Sequence, residues 1–245
     1  MKANDVKVIV GVLANDEDGY DKMVEASRKT CYESPPEHFE VFFIYGRRKG
    51  IKIPPGGSTV IDDCFYHDYP ESRANILKKT VAFFEYCLKN LDFDYIFRAN
   101  CGSYIDMSLL SEFLKDKPRE EFYCGHLNGS KKLPPFVSGA GYFLSADIVK
   151  LIVDKKDDLE YNGRILMDDT AVGDFLHKRC IPITEGRKIL SVNIDQIKGT
   201  ERIAQHIIDR FGLDEYFRFD PECYHYHFRH TINPECFYEI RRLKK

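Results

Sequence analysis

No apolar run in this chain of 245 residues comes near the roughly 20 residues that cross a bilayer, so a transmembrane helix is not expected. The N-terminus, MKANDVKVIVGVLANDED, also lacks a signal-peptide cleavage pattern. A soluble, cytoplasmic protein is the expectation, unless a membrane anchor has been removed. Excess charge of either sign is missing too: a net charge of −3 and a pI near 6.3, with both signs mixed along the chain, leave no electrostatic footprint for nucleic acid. The eight cysteines form no CxxC pair and no regular zinc spacing, in a chain large enough to do without disulfide staples. Reduced, mostly buried thiols follow. With no internal repeat or low-complexity segment, the length suits one α/β domain, 1–245, with a sizeable core.

What the chain does carry is organised around Pro134 to Gly173, which opens with PPFVSGAGYFLSAD and closes with MDDTAVGDFL. Gly139 and Gly141 bracket Ala140, so the backbone there can approach a ligand where side chains would forbid it. Tyr142, Phe143 and Leu144 predict a short buried strand. Ser145, Ala146 and Asp147 then introduce a helix built on Ile148, Leu151 and Ile152. After a turn at Asn162 and Gly163, Asp168 and Asp169 precede Thr170, Val172, Phe175 and Leu176, at a helix N-terminus that stabilises negative charge. Two carboxylates held there can deprotonate a substrate, although an isolated pair is more often an N-cap with a solvated neighbour.

In chain order, Val6 to Leu13 is a near-continuous β-branched run, expected to be a central parallel strand that ends in a ligand loop at Ala14, Asn15 and Asp16. A helix follows over Tyr20 to Cys31, then strands over Val41 to Tyr45 and Thr59 to Ile61, the latter closing on Asp62 and Asp63. Ile76, Leu77, Thr80, Phe83, Phe84 and Cys87 line one face of the next helix. The strand Asp94 to Arg98, the helix Met107 to Leu114 and the strand Phe122 to Leu127 come before the central stretch. A strand and loop over Ile181 to Val192 and an amphipathic helix over Asp195 to Phe211 come after it. In the tail, Tyr224 to His230 alternates, so His225, His227 and Arg229 share one face of an extended segment and aromatics the other. Such a face suits diphosphate oxygens. A zinc site there would need carboxylate or cysteine partners, and only Cys223 lies beside it.

The order of parts, PPFVSGAGYFLSADIVKLI followed by DDTAVGDFL, resembles the β-1,3-galactosyltransferase and Fringe group of glycosyltransferases. In that family a PPYCSGGGY-like strand and a helix precede an acidic-Asp-x-x-x-Gly motif whose second acid is the general base. Asp169 holds the matching position, with Asp168 beside it, and Ser138, Gly139, Ala140 and Gly141 become acceptor-binding candidates. Arg28 to Cys31, RKTC, resembles the family's R-x-T-W, with cysteine in place of the tryptophan that this chain lacks altogether. Asn75 to Thr80 resembles N-L-T-x-K-T and puts Lys79 on its lysine, whereas Lys78 reads as a solvated helix charge. FYCGHL resembles the Y-x-G segment; His126 there either faces the acceptor or is a hydrogen-bonded structural histidine.

The main departure follows the strand at Arg98. The family's K-x-D-D-D-x-F-V-N aspartates hold manganese against the nucleotide diphosphate, and here Arg98, Asn100, Cys101 and Gly102 stand in the corresponding places. An amide, a thiol and a glycine are poor ligands for a hard cation. Mn2+ is thus implied by the family while its usual aspartate motif is absent, and no metal ligand is assigned. Asn100 and Ser103 can hydrogen-bond a sugar or phosphate, and Arg98 can supply positive charge. The family also places a histidine near its C-terminus against metal and diphosphate; His225 or His227 is the counterpart.

The resemblance spans about Val6 to Leu176. It implies a GT-A-like (Rossmann-like) α/β fold, a mostly parallel twisted sheet flanked by helices, with a C-terminal segment (about 215–245) closing the active site. It further implies an inverting hexosyltransferase that moves a sugar from a nucleotide diphosphate sugar, by expectation a UDP-sugar, to a hydroxyl of a glycan or protein-linked acceptor. The donor-binding candidates are Ala14, Asn15, Arg28, Lys79, Arg98, Asn100, Ser103, His225, His227 and Arg229. Animal members of the family carry a membrane anchor and work in the secretory pathway, so a cytoplasmic enzyme implies a bacterial or viral type of source. Two alternatives stand beside this reading: a carbohydrate- or nucleotide-binding module that has lost catalysis, and a metal-dependent transferase drawing acids from Asp62, Asp63 or Asp106.

Overall fold

The computed structural model describes residues 6–17, 19–130, 133–159, 167–191, 194–198, 219–228 and 232–245. The run VIVGVL forms strand β1 (Val8–Leu13), and every residue of it is buried, as a strand covered on both faces requires. Val8, Val10 and Val12 face one layer of core while Ile9 and Leu13 face the other. This is the period of two of a pleated strand. Gly11 sits where helix α2 (Ile76–Asn90) crosses: a Cβ there would lie 2.5 Å from Phe83 Cε1, so only glycine lets helix and strand pack this closely.

Around β1 the chain builds a twisted sheet from β2 (Phe39–Tyr45), β3 (Ser58–Ile61), β4 (Cys64–His67), β5 (Tyr95–Asn100), β7 (Tyr123–Ser130), β8 (Leu133–Ser145) and β9 (Ile183–Glu185), in the order β3-β4-β2-β1-β5-β8-β7-β9. Four of its seven ladders are parallel, and the antiparallel ones are β3–β4, β5–β8 and β8–β7. A second, three-stranded sheet orders β10 (Ile189–Ser191), β11 (His225–Phe228) and β6 (Ser103–Ile105). Helices α1 (Tyr20–Arg28), α3 (Met107–Leu114) and the C-terminal helix pack on one face of the large sheet; α2, α4 (Ala146–Asp154) and α5 (Asp168–His177) pack on the other. A short α6 (Ile194–Ile197) packs against that C-terminal helix, α7 (Glu235–Leu243).

Several elements differ from the sequence expectation. The first helix stops at Arg28, and Cys31 lies in the turn beyond it. The strand expected over three residues at Tyr142 runs from Leu133 to Ser145, because β7 pairs with it as far back as Leu133, while β5 pairs with its Gly141–Ser145 end. Strands β4 and β6 and helix α7 were not anticipated. The turn at Asn162 and Gly163, Arg229, and most of the helix expected over Asp195 to Phe211 lie outside the described residues. None of the eight cysteines forms a disulfide among the described residues, and only Cys180 of them is exposed. Among the described residues no helix is long and apolar enough to cross a membrane.

The strand order fixes where a ligand can enter. From β1 the chain moves outward through β2 to the edge strand β3 and back to β4, then crosses to β5 on the opposite side of β1. At such a switch point open α/β sheets bind ligands in the crevice outside the C-terminal strand ends, here those of β1 and β5. Leu13 and Asn100 are partners at that point, and Cys101 N donates to Leu13 O at 3.1 Å.

Candidate functional site

Asp168 and Asp169 open helix α5, after Met167 in extended conformation. The adjacent carboxylates meet opposite surroundings. Asp168 is fully buried, and Arg98, on β5, grips it: Arg98 Nη2 donates to Oδ1 at 2.7 Å and Nε lies 2.7 Å from Oδ2. Thr80 Oγ1 and Tyr142 Oη each donate to Oδ2 at 3.2 Å. A carboxylate surrounded in this way is a structural anion, since a buried charge survives only when paired and hydrogen-bonded.

Asp169 is only partly buried. Its Oδ2 accepts from Gly139 N at 2.8 Å and its Oδ1 from Thr170 N at 2.8 Å. Burial, and next the negative charge of Asp168, raise its pKa above the ordinary aspartate value; Arg98 and the two N–H groups oppose that rise. A carboxylate held by backbone donors, partly open and more basic than usual, is suited to take a proton. Gly139 makes the approach possible, for a Cβ there would stand 2.8 Å from Asp169 Oδ2.

Arg98 joins three elements. Among the described residues it is the largest fully buried side chain, and besides the contact with Asp168 its Nη1 donates to Asn100 Oδ1 at 2.8 Å and to Gly139 O. The end of β5, the glycine of β8 and the start of α5 thus share one guanidinium, whose rigid fork suits several fixed acceptors.

Ser103 is the second junction. Its Oγ donates to Ala140 O at 2.9 Å, and His225 Nε2 and His227 Nδ1 each lie 3.1 Å from it. A hydroxyl has one proton. With that proton directed to Ala140, both ring nitrogens facing the oxygen must carry hydrogen. The alternation expected in the tail is present: His225 and His227 meet Ser103, while Tyr226 and Phe228 turn to Tyr104, Phe219 and Phe237. Burial first, then the neighbouring Lys188, His227 and His126, hold the His225 pKa well below the ordinary histidine value. Lys188, between β9 and β10, reaches Ser138 Oγ at 3.2 Å. Sequence reasoning missed it; the only signal was a basic pair, Arg187 and Lys188, after Gly186.

The remaining candidates are committed to other partners. Lys79 is 3% exposed, donates to Ala14 O at 2.8 Å and pairs with Glu71 Oε2 at 2.8 Å. It therefore shapes the loop that follows β1. Asn15 Oδ1 accepts from Glu17 N at 3.0 Å in that loop. Arg28 pairs with Asp63 at 2.5 Å and lies over the Phe43 ring, 4.4 Å from its centroid. Gly141 packs between Phe97 and His225, where a Cβ would come within 2.6 and 2.8 Å of their rings. His126 lies 3.6 Å from Glu185.

The manganese that the resemblance implies does not fit these residues. At the end of β5, Asn100 already accepts from Arg98, Gly102 offers no side chain, and burial pushes the Cys101 thiol up to about 12, far from the thiolate that binds metals. Asp63 is held by Arg28, and Asp106 caps α3 and pairs with Lys244 at 2.9 Å. Among the described residues no group of three His, Cys, Asp or Glu side chains converges as metal ligands do.

No protein-family model matches the chain, and no curated protein matches it in sequence. Solved structures do. A glycosyltransferase involved in the glycosylation of the major capsid of PBCV-1 superposes with a TM-score of 0.52 at 10% identity, over 97% of this chain and 99% of that one. The chain has a GT-A-like fold. The apo form of the glycosyltransferase GlyE from Streptococcus pneumoniae TIGR4 gives a TM-score of 0.50 at 11% identity, over 96% of this chain and 60% of GlyE. In a GT-A-like sheet the crevice at β1 and β5, the Asp169 carboxylate and the Ser103 junction lie along the edge where α/β sheets bind ligands.

Proposed function

We propose that this chain is an inverting glycosyltransferase, which moves a sugar from a nucleotide diphosphate sugar, by preference a UDP-sugar, to a hydroxyl of a glycan or protein-linked acceptor. The observation that carries the reading is the division of labour between the two aspartates: Asp168 is locked by Arg98, Thr80 and Tyr142, and Asp169 is left partly open and more basic than usual. A single accessible carboxylate suits one displacement with a general base. Asp169 takes the acceptor proton as the acceptor oxygen bonds to the anomeric carbon, and the bond from that carbon to the diphosphate breaks with its electron pair on the departing oxygen. Asp168 and Arg98 act through position: they fix the start of α5 and the Gly139 carbonyl, hence the geometry of the base.

In this reading the nucleotide lies in the crevice by Ala14, Asn15 and Asn100, and the acceptor approaches along Ser138 to Gly141. The C-terminal segment closes the site, supported by the contact of His225 and His227 with Ser103. Eight thiols without a disulfide among the described residues suit a reducing cytoplasm. The test is incubation with a panel of nucleotide sugars and simple glycoside acceptors, with the anomeric configuration of the product read by NMR. Inversion is expected. A retained configuration would refute the base role, and nucleotide binding without any turnover would make the chain a binding module.

A further inference from the structure

The misfit between this site and a divalent cation raises the question of what offsets the charge of the departing diphosphate. Two phosphates leave with new negative charge, and a water-poor site must meet it with fixed positive groups or hydrogen-bond donors. Three successive residues of β8 show where those groups lie. Ser138 Oγ is 3.2 Å from Lys188 Nζ; Gly139 N holds Asp169 Oδ2 at 2.8 Å; Ala140 O accepts from Ser103 Oγ, which lies between His225 and His227. At about 3.3 Å per strand residue, ammonium, base and imidazole pair are tied to a segment about 7 Å long. That is the scale of one sugar with its phosphate. Gly102 adds a further sign, because the position where the resemblance expects an aspartate has no side chain, and a Cβ there would lie 4.0 Å from His227 Cε1.

We propose that Lys188, seated on Ser138, with His227, seated on Ser103, forms the diphosphate-binding site and that transfer runs on this protein charge with no divalent cation. The inference rests on the transferase reading and deepens it. Lys188 supplies a compact cation. His227, whose Nδ1–H faces Ser103, can present Nε2 as a second N–H donor once a phosphate has drawn a proton onto it. No atom is added to the reaction: the electron pair of the broken bond stays on the phosphate oxygen, and Lys188 and His227 stabilise it there.

The experiment has two parts, each on the full chain. Sugar transfer is measured in EDTA and again with added manganese, for wild type and for Lys188→Met, Lys188→Arg and His227→Gln, with a thermal melt of each. Wild-type turnover undiminished in EDTA, a loss of about 100- to 1,000-fold in Lys188→Met, and partial recovery in Lys188→Arg are expected. Loss in EDTA that manganese restores, or full turnover in Lys188→Met, would overturn the proposal. The second part titrates inorganic pyrophosphate into the protein in EDTA by calorimetry, which needs no donor sugar. Binding that weakens at least tenfold in Lys188→Met while the melt is unchanged supports the site even if no sugar is ever transferred. A folded wild-type protein that binds no pyrophosphate in EDTA would refute it, whatever the fate of the transferase reading.

Discussion

Replacing Arg98 by methionine would test whether one guanidinium organises the site. Methionine is close in length and apolar, so the change removes charge and donors with little loss of volume. What remains is an unpaired Asp168 carboxylate, fully buried, together with a Gly139 carbonyl and an Asn100 oxygen that have lost their donor. Breaking a buried ion pair from one side costs about 3–5 kcal/mol. For a chain of this size about 1 kcal/mol shifts Tm by 2–4 °C, so the melt should fall by roughly 6–20 °C. The decisive comparison is a double-mutant cycle. Asp168→Asn in the Arg98→Met background removes the stranded charge and should restore about 1–3 kcal/mol, whereas in the wild-type background it should destabilise. A melt for Arg98→Met within 2 °C of wild type, or simple additivity in the cycle, would refute the view that the pair anchors α5.

Other expectations follow from single contacts. Gly139→Ala places a methyl 2.8–3.1 Å from the Asp169 carboxylate and side chain, and the resulting displacement of the base should cost about 100-fold in kcat with the fold retained; unchanged kcat would show that Asp169 has room to spare. The raised Asp169 pKa sets two opposed pH trends: transfer should fall as pH drops through a value above the ordinary 3.8, whereas stability from the protonated form is present at low pH and lost as pH rises through that value. A pH–rate profile whose acid limb disappears in Asp169→Asn, measured on residual activity, checks the first, and melts of the same pair across that pH range check the second. Arg28→Gln should leave UDP affinity unchanged and cost about 1 kcal/mol in stability, since its partner Asp63 is half exposed; weaker UDP binding would return Arg28 to the donor site.

Much of the architecture was legible because local pattern and burial agree. The apolar run of β1 can only be a doubly covered strand, and the spacing of Leu109, Leu110 and Phe113 located helix Met107–Leu114 to the residue. The pairing of His225 with His227 followed from strand alternation alone. Features that depend on distant parts of the chain were hidden. Arg98 and Asp168 are 70 residues apart, so their embrace leaves no periodic trace, and nothing in the sequence pairs the two. Strand β8 was read short because Pro134, Pro135 and two glycines look like punctuation; prolines are tolerated at the start of a strand, and the glycines make room for Asp169, Phe97 and His225. Strand β4 was lost behind a tight turn in which Asp62 adopts φ 52°, a conformation favoured by glycine and tolerated by aspartate. Lys188 sits in a short connection where charge is common, and only its contact with Ser138 sets it apart.

The central claim is that Asp169 removes the acceptor proton, and the most direct test is the turnover of Asp169→Asn beside its affinity for UDP. Asparagine keeps an oxygen for the Gly139 or Thr170 N–H and cannot accept a proton, so the fold and nucleotide affinity should stay within a few-fold of wild type. Turnover should drop by about 100- to 10,000-fold, the usual contribution of a general base. Wild-type turnover in Asp169→Asn, with UDP affinity intact, would contradict the account and remove Asp169 from the chemistry.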